Sequence, residues 1–235
     1  GKHVLVEKPV TGELREIKEM AGLAVAKGLQ CMPAHNYIYS PDMYRLKKII
    51  KEGSFGKIAV SWLMYHIHHN EEQCARYPGI IRQIGTHLLY THRYLFGEPV
   101  SMSAHTTRFL YPQLDRDDQM MLTLAMPDGS MSNLFASFAV GDHSTNPWTF
   151  VVKILGTQGS AQLSWQDVVL DRPLGTLSRS YARYEETYEH EIQYFINECV
   201  LEGKPPLSTL WDALKVLEMV IQAEKDSQEK RRLSI

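Results

Sequence analysis

Three features of this 235-residue sequence predict an α+β fold. The first is a short β-branched run, His3-Val4-Leu5-Val6, that stops at Glu7-Lys8-Pro9 and is followed by a helical stripe and a second apolar run over 29–34. Strand, helix and strand in that order read as a parallel unit. The second is a change of character at Lys57, after which β-branched and aromatic runs cover 57–69, 100–109, 118–126, 130–140, 149–156, 160–165 and 167–171. Runs of that kind separated by turn residues predict a mostly antiparallel sheet. The third is the return of helical periodicity over 184–202 and 209–226, on either side of Pro205-Pro206. The expected architecture is the end of a parallel α/β unit, then a large sheet covered by helices on one face.

The elements follow from local chemistry. A strand apolar throughout, as Val4-Leu5-Val6 is, suits burial on both faces of a parallel sheet, whose carboxyl end is where ligands bind. Lys8 stands at that end and is a candidate site lysine; a solvated charge pair with Glu7 is the plainer reading. Thr11 is the expected cap of a helix striped by Leu14, Ile17, Met20, Ala21, Ala24 and Val25 and closed by Gly28. Ser40-Pro41-Asp42 supplies cap, first-turn proline and first-turn acid for a helix through Met43, Leu46, Ile49 and Ile50, with Gly53 beyond its end. Asp128-Gly129 and 156–159 stand where hairpin turns are needed. One helix, from about Gly85 to Phe96, interrupts the strands, and Gly97 and Pro99 close it. The last two helices carry Tyr188, Ile192, Phe195, Ile196 and Cys199, then Leu214, Leu217, Val220 and Ile221. There is no internal repeat.

Composition excludes several classes of function. Lys+Arg 25 against Asp+Glu 27 gives a formal charge of -2, and the only basic run is Lys230-Arg231-Arg232. Nucleic acid and anionic membrane are therefore poor partners. No apolar stretch approaches the ~20 residues that cross a bilayer. Cys31, Cys74 and Cys199 are odd in number and widely spread, which suits reduced core thiols and a cytoplasmic setting better than disulfides or a zinc knuckle. The sequence opens on Gly1 within what reads as a folded unit, so it is expected to be a fragment of a longer chain.

Val6-Glu7-Lys8-Pro9, Asn36, Gly53-Ser54-Phe55-Gly56-Lys57-Ile58, Gly85-Thr86-His87, Leu95-Phe96-Gly97-Glu98-Pro99 and Lys204-Pro205-Pro206 occur in an order and spacing that resemble the Gfo/Idh/MocA oxidoreductases, the family of glucose-fructose oxidoreductase and inositol dehydrogenase. The resemblance spans nearly the whole sequence. It implies a Rossmann domain binding NAD or NADP, of which 1–36 is the C-terminal remnant, and a substrate-binding and oligomerisation domain over 37–235, expected as a homodimer or homotetramer. The family's Gly-rich phosphate loop lies some ninety residues before its E-K-P and no G-x-G-x-x-G occurs here, so this segment alone is expected to bind dinucleotide poorly and to be inactive. Preference between NAD and NADP is set in that same part.

Hydride transfer at a carbon bearing a hydroxyl needs a cation for the developing alkoxide and a base for the proton. The resemblance assigns the first role to Lys8, its pKa pulled down by burial and neighbouring positive charge, with Glu7 and Pro9 shaping the turn that presents it; a cis bond before Pro9 would serve that turn. It assigns the acid/base role to His87, in the segment Gln83-Ile84-Gly85-Thr86-His87. Gln83 stands where the family has an aspartate, and Tyr90 where it has a second one three residues after the histidine. An amide binds a sugar hydroxyl but accepts no proton, so the carboxylate support of the histidine is missing. Asn36 matches a position near the nicotinamide end of the cofactor, and Tyr37-Ile38 replaces the arginine often found after it.

The substrate implied is a sugar, inositol or related hydroxylated compound, with Lys8, Gln83, His87, Tyr37 and His66 as its expected contacts. Tyr37, Tyr39, Trp62, Tyr65, Trp148 and Trp165 are numerous enough to line a carbohydrate pocket, although most are expected in the core. Within His66-Ile67-His68-His69, alternation puts His66 and His68 on one face and His69 on the other. Two same-face imidazoles could ligate a metal with His87 or Glu72, or bind sugar hydroxyls, or simply face solvent. Besides a dehydrogenase, two readings remain open: an NAD-using epimerase or glycoside-cleaving enzyme, and a non-catalytic binding or oligomerisation relative in which Gln83 marks lost catalysis.

Overall fold

The computed structural model describes residues 1–141, 148–164, 169–170, 177–178 and 184–232. Strands β1 (Val4–Val6) and β2 (Cys31–Pro33) pair in parallel, Val4 opposite Cys31, with helix α1 (Leu14–Ala26) between them. Helix α1 buries Ile17 and Ala21 against Leu210, Leu214 and Leu217 of the last helix, α6 (Leu210–Arg232), so the end of the chain packs on its beginning. Glu13, not Thr11, occupies the cap position of α1. The Thr11 hydroxyl accepts the Glu13 amide at 3.2 Å and donates to the Glu16 carboxylate, ordering the entry two residues early.

A 3-10 turn, Asn36–Tyr39, leads into helix α2 (Pro41–Lys51), where Ser40 accepts the Met43 amide as the sequence implied. The main sheet contains β3 (Ile58–His66), β4 (Ser101–Thr107), β5 (Gln119–Ala125), β6 (Met131–Ser137), β7 (Thr149–Gly156) and β8 (Ser160–Ser164) in the order β4-β5-β6-β3-β7-β8. Its neighbours are antiparallel except β3 and β6, which run parallel with Leu63 opposite Leu134. Alternation sorts the residues: Leu63, Leu122, Leu134 and Val152 are buried under the helices, whereas Met121, Met131 and Lys153 face outward. The strand expected over 167–171 is present as β9 (Val169–Leu170), paired with β10 (Leu177–Ser178); its flanks and Trp165 lie outside the described residues.

The strand expected over 57–69 ends at His66, and 67–70 leads into a short helix, α3 (Glu71–Arg76), that sequence reasoning missed. Its start is a reciprocal box: Asn70 accepts the Gln73 amide and Gln73 accepts that of Asn70, both at 2.9 Å. A π turn, Ile81–Gly85, precedes helix α4 (Thr86–Phe96), and a second, Phe195–Leu201, continues helix α5 (Tyr184–Tyr194).

Gly156, at the expected β7–β8 hairpin, shows why that turn needs glycine. A Cβ there would strike the Phe55 carbonyl, part of the Gly53–Ile58 segment that seals the end of β3. Gly156→Ala is expected to destabilise the fold by about 1–3 kcal/mol through overpacking, measured as a fall in the midpoint of denaturant unfolding.

Candidate active site

The carboxyl ends of β1 and β2 and the start of α4 border a cavity of about 310 Å3. Glu7, Lys8, Asn36, Tyr37, Gln83 and His87 line it from that side. The rest of the lining is mostly aromatic, with Tyr65, Tyr77, Trp148, Tyr184 and Tyr188 beside Ile67, Ile84 and His69.

Lys8 follows β1 directly and is joined to Pro9 by a cis peptide bond. Its Nζ donates to the Gln83 carbonyl, 3.0 Å away in the π turn before α4, so the ammonium is held to the turn that leads into the helix carrying the imidazole. Burial pulls its pKa down to about 8, against the opposing pull of Glu7. An ammonium of that kind is charged at neutral pH and yet close to losing its proton.

His87 lies in the first turn of α4, 7% exposed, with its ring stacked on Tyr37 at 4.5 Å. Burial, and then the Lys8 and His35 charges, hold its pKa well below the usual imidazole value, so the ring is neutral at pH 7. Nδ1 lies 2.8 Å from the Tyr90 hydroxyl, which donates to Asn36 Oδ1 at 3.2 Å. The Asn36 amide nitrogen donates to Thr187 at 2.7 Å. Behind this layer His35 stacks on Tyr90 at 4.2 Å and bonds Ser208, and burial pushes its pKa down to about 3.

Lys8, Glu7, Asn36, Tyr37, Gln83 and His87, all expected at the site, line this one cavity. Pro9 turns toward His35 and Val216 instead. His66 is not among the cavity's lining residues. It sits on the outer sheet face, between Ser137 and Thr149, with its ring against Phe135 at 4.8 Å. Parity explains this, because Tyr65, Ile67 and His69 share the inner face with buried Leu63, and His69 therefore reaches the cavity where His66 does not. Among the described residues no group of three His, Cys, Asp or Glu side chains is placed to hold a metal. Of the aromatic residues read from sequence, Tyr37, Tyr65 and Trp148 line the cavity and Tyr39 is core. Tyr77, Tyr184 and Tyr188 carried no local signal. Tyr90 was noted only as a replaced aspartate.

Residues 43–162 match the sequence profile described as the GFO/IDH/MocA C-terminal domain. A scyllo-inositol 2-dehydrogenase (NAD(+)) of Bacillus subtilis is 28% identical over 243 residues, covering 95% of this chain and 68% of the relative. A scyllo-inositol 2-dehydrogenase (NADP(+)) of the same organism is 31% identical over 112 residues, 45% of this chain and 31% of the relative. Levoglucosan dehydrogenase in complex with NADH superposes with a TM-score of 0.83 at 22% identity over 97% of this chain and 72% of that one. A putative myo-inositol dehydrogenase from Sinorhizobium meliloti 1021 superposes with a TM-score of 0.81 at 20% identity over 98% of this chain and 73% of that one, a likeness of fold. On the profile match, which takes in half of its residues, the chain belongs to the Gfo/Idh/MocA oxidoreductase family.

Proposed function

We propose that this chain is part of an NAD(P)-dependent oxidoreductase that moves hydride between a nicotinamide and a carbon bearing a hydroxyl, on a sugar, an inositol or a related compound. The observation that carries the reading is the placing of the Lys8 ammonium and the His87 imidazole on one cavity. The named activities of the scyllo-inositol relatives, and the neighbour holding NADH and levoglucosan, support the substrate class. The three free cysteines, two of them buried, support a reducing, cytoplasmic setting.

Residues 1–36 act in this reading as the end of the dinucleotide-binding domain and 37–235 as the substrate domain. The donor set fits the group: an ammonium and an amide side chain stand where two parallel strands end, the ligand side of such sheets. Glu7, Lys8 and Asn36 would hold the nicotinamide end of NAD or NADP, which when bound supplies the hydride acceptor or donor, with Pro9 shaping the turn behind Lys8. Lys8 stabilises the negative charge that builds on the substrate oxygen. His87, neutral at pH 7, takes the hydroxyl proton in oxidation and returns it in reduction. Gln83 and the aromatic wall position the ring, since sugar CH faces pack on aromatic rings and amides bind hydroxyls. The outer sheet face, with Met121 and Met131 about half exposed, is the surface we assign to a homodimer or homotetramer contact.

The test is reduction of NAD+ or NADP+ by the complete protein with a panel of inositols, aldoses and anhydrosugars, followed as nicotinamide absorbance. Turnover with at least one is expected; none with any would overturn the reading. Gln83→Asp sets a carboxylate beside Lys8 and raises the ammonium pKa from about 8, so the alkaline limb of kcat/KM should move to higher pH. An unmoved limb would separate Gln83 from Lys8.

A further inference from the structure

We infer that Tyr90 is a positioning residue that fixes the tautomer of His87, holding the proton on Nδ1 and leaving Nε2 as the lone pair that receives the substrate proton. The inference rests on the acid/base role proposed for His87. Its basis is a hydrogen-bond chain whose polarity is set at the far end, at a group with no choice of role.

The backbone carbonyl of Tyr184 can only accept. Thr187 Oγ1 lies 2.6 Å from it and so spends its one hydrogen there. The same oxygen must then accept from Asn36, 2.7 Å away, which obliges Asn36 to present its NH2 to Thr187 and its Oδ1 to the other side. On that other side stands the Tyr90 hydroxyl, 3.2 Å from Oδ1, and its single hydrogen is committed in turn. The phenol oxygen is left with lone pairs only. One faces the Tyr37 amide at 3.4 Å and the other faces His87 Nδ1 at 2.8 Å. Nδ1 must therefore carry the hydrogen. Asn36, His87, Tyr90 and Thr187 are all buried, and water does not supply a substitute partner cheaply. Burial also keeps the Tyr90 phenol protonated far above neutral pH, so it stays a donor to Asn36 across the working range.

A tyrosine does here what a carboxylate does for many catalytic histidines, but only in part. It orients the ring and selects the tautomer. Being neutral, it adds no countercharge for the imidazolium, which agrees with the depressed pKa of His87. The two aspartates absent from the family pattern are thus not equivalent losses: Tyr90 takes over orientation, and nothing replaces the charge.

The experiment is long-range 15N NMR of the complete protein labelled at histidine, with the His87 signals assigned by their loss in His87→Gln. The wild type should show His87 as the neutral Nδ1–H form at pH 7. Tyr90→Phe should move it toward the Nε2–H form and lower kcat about tenfold with KM within about twofold, as expected when orientation and not binding is lost. Thr187→Val, which frees the Asn36 amide two links away, should give a smaller shift in the same direction. A wild-type Nε2–H tautomer, or an unchanged tautomer in Tyr90→Phe, would overturn the inference. The expected tautomer in a protein that reduces no nicotinamide would leave Tyr90's role standing and overturn the redox reading alone.

Discussion

Replacing Lys8 with methionine is expected to lower kcat by about 10²–10³-fold, the scale on which loss of a preorganised donor to a developing oxyanion is felt. Methionine keeps the length and apolar stem and removes the charge, so the cavity wall survives. The pH dependence should identify the group. In the role proposed for it Lys8 must be protonated, so wild-type kcat/KM should fall as pH rises through about 8. Lys8→Met should lose that limb. Stability offers a second readout with a definite sign. Because the folded pKa of about 8 lies below the ordinary lysine value of 10.5, the unfolded chain binds more protons between those two values and stability from this group rises with pH there. Chemical denaturation should therefore show the wild type gaining on Lys8→Met between pH 8 and 10.5. A constant difference would mean that Lys8 is not desolvated.

His87→Gln is the second large effect. Losing the proposed proton acceptor should cost about 10²–10³-fold in kcat, within the usual range for a positioned acid/base. Glutamine can still meet the Tyr90 hydroxyl, which limits damage to the network. Here the linkage runs on the acid side. The folded pKa is depressed, so the unfolded state takes up a proton that the folded state refuses once pH falls below about 6.5. Wild-type stability should drop between pH 7 and 5, and His87→Gln should drop by less. Burial at His35 and His92 has the same sign, so the variant should retain part of the acid lability.

Much of this was legible in the sequence because the signals were local. Ser40-Pro41-Asp42 announced α2, glycines marked both hairpins, and the E-K-P at the end of β1 pointed to Lys8. The misses have physical causes. His66-Ile67-His68-His69 has strand-like alternation, and the Ile67 and His69 amides do bond Ser137 and Phe138, but the regular ladder stops at His66. The parity of that run was readable. Which face became the inner one depended on where the helices packed, and that decided for His69. The π turn before α4 leaves no periodic signature, although it places the carbonyl that holds Lys8. Tyr90 read as a lost carboxylate. Its partner Asn36 lies 54 residues away in sequence, and Thr187, which Asn36 bonds in turn, lies 151 residues from Asn36.

The most direct test of a shared alcohol between Lys8 and His87 is a double-mutant cycle on kcat/KM with Lys8→Met, His87→Gln and the pair combined. If both groups act on one oxygen in one transition state, the double variant should be little slower than the slower single variant. Losses that simply multiply would show two groups working independently, and would contradict the joint site.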